Sequence, residues 1–99
     1  MNKLAELLRS NKIDLSIAVY PWPGTLKYDI QNNNQLKIWK NFCVSNCKKF
    51  YNFMGPFYDL LAKNKFVNVY RKVYIENDVH FNEEGHRIIA EHFLKLYKN

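Results

Sequence analysis

The sequence predicts an α/β fold with parallel strands, and three observations support this prediction. Helical and strand-like segments alternate along the chain in the order helix, strand, helix, strand, helix. Both strand-like segments are short and rich in apolar residues, as in strands buried within a sheet. The C-terminal segment carries apolar residues at helical spacing. At 99 residues, of which 47% are hydrophobic, the chain has the length and composition of one small globular domain.

The first two elements are a helix and a buried strand. Residues 2–11 are predicted to be helical because Leu4, Leu7 and Leu8 recur at helical spacing. Residues 14–20 are apolar almost throughout and contain β-branched side chains, so we expect a strand that is covered on both faces.

The run Pro21-Trp22-Pro23-Gly24 ends this strand, because two prolines cannot continue a central strand. In open parallel sheets, binding sites gather at the carboxyl ends of the strands. Trp22 is therefore a candidate substrate-binding residue, with packing as a loop anchor as the alternative.

A polar loop over residues 25–33 and a helix over residues 35–48 are predicted next, with the helix N-cap in the Asn run 32–34. The apolar stripe of this helix consists of Leu36, Trp39, Cys43 and Cys47. The spacing of the two cysteines suits neither a zinc half-site nor a disulfide within one helix. We interpret them as small hydrophobic residues on the buried face.

The second half of the chain contains the second strand and the last helix. Residues 50–53 are predicted to be a strand, residues 57–62 a helical turn, and residues 67–75 an irregular or weakly extended stretch. A final helix begins after Asn82, its predicted N-cap, and runs to about Tyr97.

Gly85 lies in the first turn of this final helix, where glycine costs about 1 kcal/mol relative to alanine. We therefore expect a close approach of a neighbouring segment at Gly85.

A carboxylate and an imidazole lie two residues apart just before that helix, at Asp78 and His80. In an extended loop such residues project to the same side, so Asp78 can reach one ring nitrogen of His80 and leave the other free. A nucleophilic hydroxyl needs such a base, and the base needs a third group that fixes its tautomer. The spacing therefore predicts the base half of a hydrolytic triad.

Residues 74–90 resemble the last conserved block of the SGNH hydrolase superfamily, the GDSL-type esterases and lipases. In that family the block supplies the Asp and His of the triad, then an Asn or Pro, a Gly, and a helix. The strand-like segments resemble the family's penultimate and last strands. The resemblance implies a flavodoxin-like three-layer α/β/α sandwich with five parallel strands. Residues 1–99 would be the incomplete, C-terminal portion of that domain.

By this resemblance His80 is the general base and Asp78 its orienting partner. The commonest family spacing places the carboxylate three residues before the His, a position occupied here by Asn77. Acyltransferase-like relatives have the Asp-x-His spacing that this chain shows. Glu76 is the remaining candidate for the orienting role.

The family's nucleophilic Ser and its oxyanion-hole Gly and Asn belong to blocks that this sequence does not contain. The chain has three serines, Ser10, Ser16 and Ser45, and none follows a Gly-Asp pair. We therefore expect part of a serine ester hydrolase or O-acyltransferase that is inactive alone. Its substrate would be an ester or O-acylated compound once an N-terminal half completes the site.

Two alternatives remain, a non-catalytic or partner-binding module and a small basic nucleic-acid-binding protein. The formal net charge is +6, but the lysines are scattered, so a solvated surface is favoured and no nucleic acid is expected. The sequence predicts no metal or other cofactor and no transmembrane segment, and it does not indicate a compartment.

Overall fold

The computed structural model describes residues 1–28 and 33–97. Six helices and two strands occur in this part of the chain: α1 (Asn2–Ser10), β1 (Ser16–Val19), α2 (Pro23–Tyr28), α3 (Asn34–Asn46), β2 (Lys49–Asn52), α4 (Gly55–Lys63), α5 (Phe66–Val73) and α6 (Glu83–Tyr97). None of these described helices is long and apolar enough to cross a bilayer.

The two strands form a parallel pair, with Ser16 opposite Lys49 and Val19 opposite Asn52. Helices α2 and α3 lie between them in the sequence, as a parallel connection requires. The predicted α/β class and the parallel pairing of the two strands are confirmed.

β1 is less covered than its sequence predicts. Val19 is buried and Ile17 half-buried, but Ser16 and Ala18 are exposed. Ala18 lies opposite Tyr51 of β2, and Tyr51 packs on Phe93 of α6 with ring centroids 5.3 Å apart. α6 therefore covers β2 on that face of the sheet but leaves β1 uncovered, so the expectation of a strand buried on both faces is wrong.

The main core lies to one side of the sheet, among the helices. Its buried residues are Leu26, Phe57, Val69, Val73, Tyr74 and Phe81. They come from α2, α4, α5 and the segment that joins α5 to α6. The segment before α6 is thus anchored in the core at both ends, by Tyr74 and Phe81, whereas residues 75–80 between them are exposed.

Two segments predicted as non-helical are helices. Residues 67–75 were expected to be irregular, but α5 spans Phe66–Val73 and buries Val69 and Val73. These two valines are four residues apart, so helical spacing prevails over the β preference of each residue. The predicted loop 25–33 begins as α2, where Pro23 occupies the first helical position, which tolerates proline. Residues 29–32 of that prediction lie outside the described residues.

The predicted cap of α3 is confirmed at Asn33. Its side chain accepts a hydrogen bond of 3.0 Å from the backbone N–H of Leu36. The amide nitrogen of Asn33 also donates to the hydroxyl of Tyr58, at 3.1 Å, which joins α3 to α4.

Cys43 and Cys47 form a disulfide bond, so their interpretation as two free hydrophobic side chains is wrong. The helix was predicted to extend to residue 48, but α3 ends at Asn46. Cys47 has extended backbone angles, φ −117° and ψ 147°, and the two Cα atoms are 4.5 Å apart. Because Cys47 lies outside the helix, its side chain is free to turn back towards Cys43.

Candidate active site

The segment between α5 and α6 is a tight turn that presents Asp78 and His80. Tyr74 and Phe81 form an antiparallel bridge at its base, and the N–H of Ile75 donates to the carbonyl of His80 at 2.9 Å. Asn77 adopts a left-handed conformation with φ 60° at the turn. Asn is one of the residues that adopt this conformation most readily, so Asn77 suits the turn.

Asp78 and His80 are in direct contact. Oδ1 of Asp78 lies 2.6 Å from Nδ1 of His80 and also accepts the backbone N–H groups of Val79 and His80. The hydrogen bond with the His80 side chain, followed by these backbone bonds, lowers the pKa of the Asp78 carboxyl. Asp78 is therefore an ionised acceptor that fixes the orientation of the imidazole.

The pair is open to solvent, with 78% of the His80 side chain and 43% of the Asp78 side chain exposed. Within residues 1–28 and 33–97, only Nδ1 of the imidazole has a hydrogen-bond partner. The structure brings Asp78, rather than Glu76, to the ring of His80. The free Nε2 is the atom that would exchange a proton with a substrate or nucleophile.

Tyr70 holds the turn from α5, a role that sequence reasoning missed. Its hydroxyl accepts the N–H of Asp78 at 3.0 Å and lies 2.8 Å and 3.1 Å from the carbonyl oxygens of Asp78 and Ile75. Its ring stacks on Tyr74, with centroids 5.5 Å apart. The only signal in the sequence was an aromatic residue one helical turn before Tyr74.

Phe81 anchors the other end of the turn in the core. Its ring stacks on Tyr74 at 4.9 Å and on Phe57 at 5.1 Å, and it contacts Tyr20 at 5.6 Å, all between ring centroids. These contacts hold the His80 turn against the carboxyl end of β1, since Tyr20 directly follows that strand.

Asn82 and Gly85 fix the start of α6, as their positions predicted. The side chain of Asn82 accepts the N–H of Gly85 at 3.0 Å and so caps the helix. A Cβ atom on Gly85 would collide with the carbonyl oxygen of Val73 and lie 2.7 Å from Cδ1 of Phe81. The close approach expected at Gly85 is therefore confirmed.

A cleft of about 340 Å³ opens beside the imidazole, and we refer to it as the His80 cleft. Its lining residues are Tyr20, Trp22, Val79, His80, Phe81, His86 and Ile89. Trp22 is 53% exposed, so it forms a wall of the cleft rather than a fully packed loop anchor. The carboxyl end of β1 and the turn before α6 thus share one cleft, although 58 positions separate Trp22 from His80 in the sequence.

The three serines all belong to the described residues, and none of them lines this cleft. The hydroxyl of Ser10 donates to the carbonyl of Glu6 at 2.8 Å, within α1. Ser45 lies on α3, in a different depression of the surface, and Ser16 is an exposed residue of β1. In the part of the chain that the structure describes, no group of three or more His, Cys, Asp or Glu side chains is placed to hold a metal ion.

Comparison of the chain with protein-family models, with curated proteins and with solved structures finds no match. What the fold and the site define is a mixed α/β protein with a parallel strand pair and a solvent-accessible Asp–His pair beside an apolar cleft.

Proposed function

We propose that this chain is the base-carrying portion of an SGNH-type serine ester hydrolase or O-acyltransferase and lacks the nucleophile. The single observation that carries the proposal is the 2.6 Å contact between Oδ1 of Asp78 and Nδ1 of His80. A carboxylate on Nδ1 keeps the proton there and leaves Nε2 as the base, which is the arrangement that acyl transfer through a hydroxyl requires.

In the proposed reaction, Nε2 of His80 removes the proton of a serine hydroxyl as its oxygen attacks the ester carbonyl. The imidazolium, stabilised by Asp78, then gives that proton to the departing alcohol, and an acyl-serine remains. His80 next activates a water molecule or a second hydroxyl, which takes the acyl group and regenerates the serine. The oxyanion of each tetrahedral intermediate needs backbone or amide donors. The serine and these donors come from outside the 99 residues.

The uncovered side of β1 supports an incomplete sheet. Ala18 is exposed on one face, and β2 is the only partner strand of β1 within the described residues. An unpaired strand edge is a template for a further strand. We therefore expect the 99-residue chain alone to be marginally stable or prone to aggregation, and to lack esterase turnover.

The proposal is tested with p-nitrophenyl acetate as the substrate. The purified 99-residue protein should show no turnover, whereas the protein produced with its in-frame upstream coding sequence should hydrolyse the ester. His80→Ala should abolish that activity. His92→Ala is the matched control, because His92 lies on α6 outside the His80 cleft, and it should leave the activity unchanged.

Two outcomes would contradict the proposal. Turnover by the 99-residue chain that depends on His80 would show that the nucleophile is present within it. An upstream frame that encodes no serine after a Gly-Asp pair would remove the source of the nucleophile.

The second candidate function is a partner-binding module without catalysis, and the same uncovered strand favours it. In that case a binding partner would cover β1, and the chain would need no nucleophile. Binding of the partner should then be insensitive to His80→Ala, whereas a hydrolase requires the imidazole.

A further inference from the structure

We propose that the His80 cleft binds the apolar acyl group of a carboxylic ester, with the carbonyl end beside the imidazole of His80. This inference deepens the proposed function and rests on it, because it takes His80 as the base that faces the scissile bond. It specifies the substrate class as esters of acids with an apolar chain or ring, in preference to acetyl esters.

The lining of the cleft is mainly apolar. Val79, Phe81 and Ile89 supply hydrocarbon surface next to His80, and Trp22 forms a wall. Val79 is 44% exposed and Trp22 is 53% exposed, so both present uncovered apolar surface close to the base. Ligand sites combine such a lining with a few convergent polar groups. Here the imidazoles of His80 and His86 are such groups.

The volume of the cleft fits a group larger than acetyl. A dry protein cavity of about 150 Å³ accommodates benzene. The His80 cleft, at about 340 Å³, has space for a ring or a short hydrocarbon chain and for the ester carbonyl as well. An acetyl group would leave most of the apolar wall in contact with water.

The floor of the cleft is fixed before any ligand arrives. Phe81 is buried and stacked between Tyr74 and Phe57, and Ile89 is held on α6. His86 contacts the edge of Phe81, with ring centroids 6.0 Å apart. A preformed apolar floor reduces the entropy lost on binding, and this favours ligands with an apolar end.

The test is ligand-induced stabilisation of the 99-residue chain by carboxylates that mimic the released acid. Thermal unfolding is followed in sodium hexanoate and in sodium acetate at equal ionic strength, because a ligand that binds the folded state raises Tm. Hexanoate should bind at least about tenfold more tightly than acetate, since it buries additional CH₂ groups.

Trp22→Ala and Tyr28→Ala form a matched pair of variants. Both remove an exposed aromatic side chain near α2, but only Trp22 lines the cleft. Trp22→Ala should weaken hexanoate binding roughly tenfold, and Tyr28→Ala should leave it unchanged. A nuclear magnetic resonance titration should show hexanoate shifting the ring signals of His80 in the unmodified chain.

Equal stabilisation by acetate and hexanoate would overturn the proposal. An equal loss of hexanoate affinity in Trp22→Ala and Tyr28→Ala would overturn it as well. The measurement needs no turnover, so it separates the two proposals. If hexanoate binds but the longer protein hydrolyses neither p-nitrophenyl acetate nor p-nitrophenyl hexanoate, the cleft is an apolar carboxylate site and the hydrolase proposal fails. If the longer protein is an esterase but the chain does not prefer hexanoate, the hydrolase proposal stands and the acyl specificity is wrong.

Discussion

The hydroxyl of Tyr74 donates a hydrogen bond of 2.6 Å to the backbone carbonyl of Pro21, which lies 53 positions earlier in the chain. Tyr74 is 2% exposed, and its burial raises the pKa of the hydroxyl, so the group stays protonated as a donor. Pro21 precedes Trp22, and Tyr74 begins the turn that carries His80. Together with the contact between Phe81 and Tyr20, this bond ties the His80 turn to the segment that carries Trp22.

Tyr74→Phe removes that donor and keeps the ring. The carbonyl of Pro21 would remain in a buried environment without a partner, so we expect the free energy of unfolding to fall by about 1–3 kcal/mol. Urea denaturation followed by tryptophan fluorescence measures this change. Tyr28→Phe serves as the control, because Tyr28 is 74% exposed, and the prediction fails if both variants are equally stable.

Tyr70→Phe should loosen the turn without unfolding the core. The N–H of Asp78 donates both to the Tyr70 hydroxyl and to the carbonyl of Ile75, each at 3.0 Å, and the variant keeps only the second acceptor. If the bond to Tyr70 contributes about 1 kcal/mol, hydrogen exchange at the Asp78 amide should become about fivefold faster. Tyr97→Phe, a change on α6 remote from the turn, should leave this exchange rate unaltered. An Asp78 amide as protected as in the unmodified chain would show that Tyr70 does not hold the turn.

The contact between Asp78 and His80 predicts a change in stability at acidic pH. The pKa of Asp78 is lowered from its ordinary value of 3.8, so the unfolded chain binds the proton more readily than the folded chain. The ionised Asp78 therefore makes its full contribution to the free energy of unfolding at pH values above 3.8. That contribution is lost as the pH falls below 3.8 and through the lower pKa of the folded state. Asp78→Asn should remove this part of the acid dependence, as measured by urea denaturation between about pH 2 and 5. Glu76→Gln is the matched control, and an unchanged acid profile in Asp78→Asn would contradict the contact.

Reduction of the Cys43–Cys47 disulfide at the end of α3 should lower the free energy of unfolding. The disulfide closes a loop with a sequence separation of four, for which chain entropy predicts a stabilisation of about 2 kcal/mol. A Cys43→Ala/Cys47→Ala variant should lose that amount relative to the oxidised chain. The variant should also match the reduced chain within about 0.5 kcal/mol. Two alkylated cysteines in unreduced, unfolded protein would show that the bond is absent.

The contacts that were predictable from sequence are mostly local. The spacing of Asp78 and His80 is enough to place a carboxylate against a ring nitrogen, because the chain between them is a single residue. The caps at Asn33 and Asn82 are likewise set within one turn of the chain. The parallel pairing of β1 and β2 followed from the order of the elements, which leaves few alternatives.

The contacts that sequence reasoning missed depend on tertiary packing or on where an element ends. The bond from Tyr74 to Pro21 spans 53 positions, and no local pattern indicates it. α5 was missed because its valines favour strands, although the spacing of Val69 and Val73 suits a helix. Contacts with α2, α4 and α6 bury that face of the helix. The Cys43–Cys47 bond depends on α3 ending two residues earlier than predicted.

Gly85→Ala tests whether the first turn of α6 must lie directly against α5. Alanine is the better helix former by about 1 kcal/mol, so propensity alone predicts a more stable protein. The added methyl group would instead collide with the carbonyl of Val73, which accepts the N–H of Asn82 at 2.9 Å. Because this obstacle is backbone, we expect a net loss of about 2 kcal/mol in the free energy of unfolding, with shifted resonances in the His80 turn. Gly24→Ala on α2 meets no atom within 4 Å and should be neutral or stabilising by urea denaturation. If Gly85→Ala were as stable to urea as Gly24→Ala, α5 and α6 would have room to separate. The position of His80 would then not depend on the contact at Gly85.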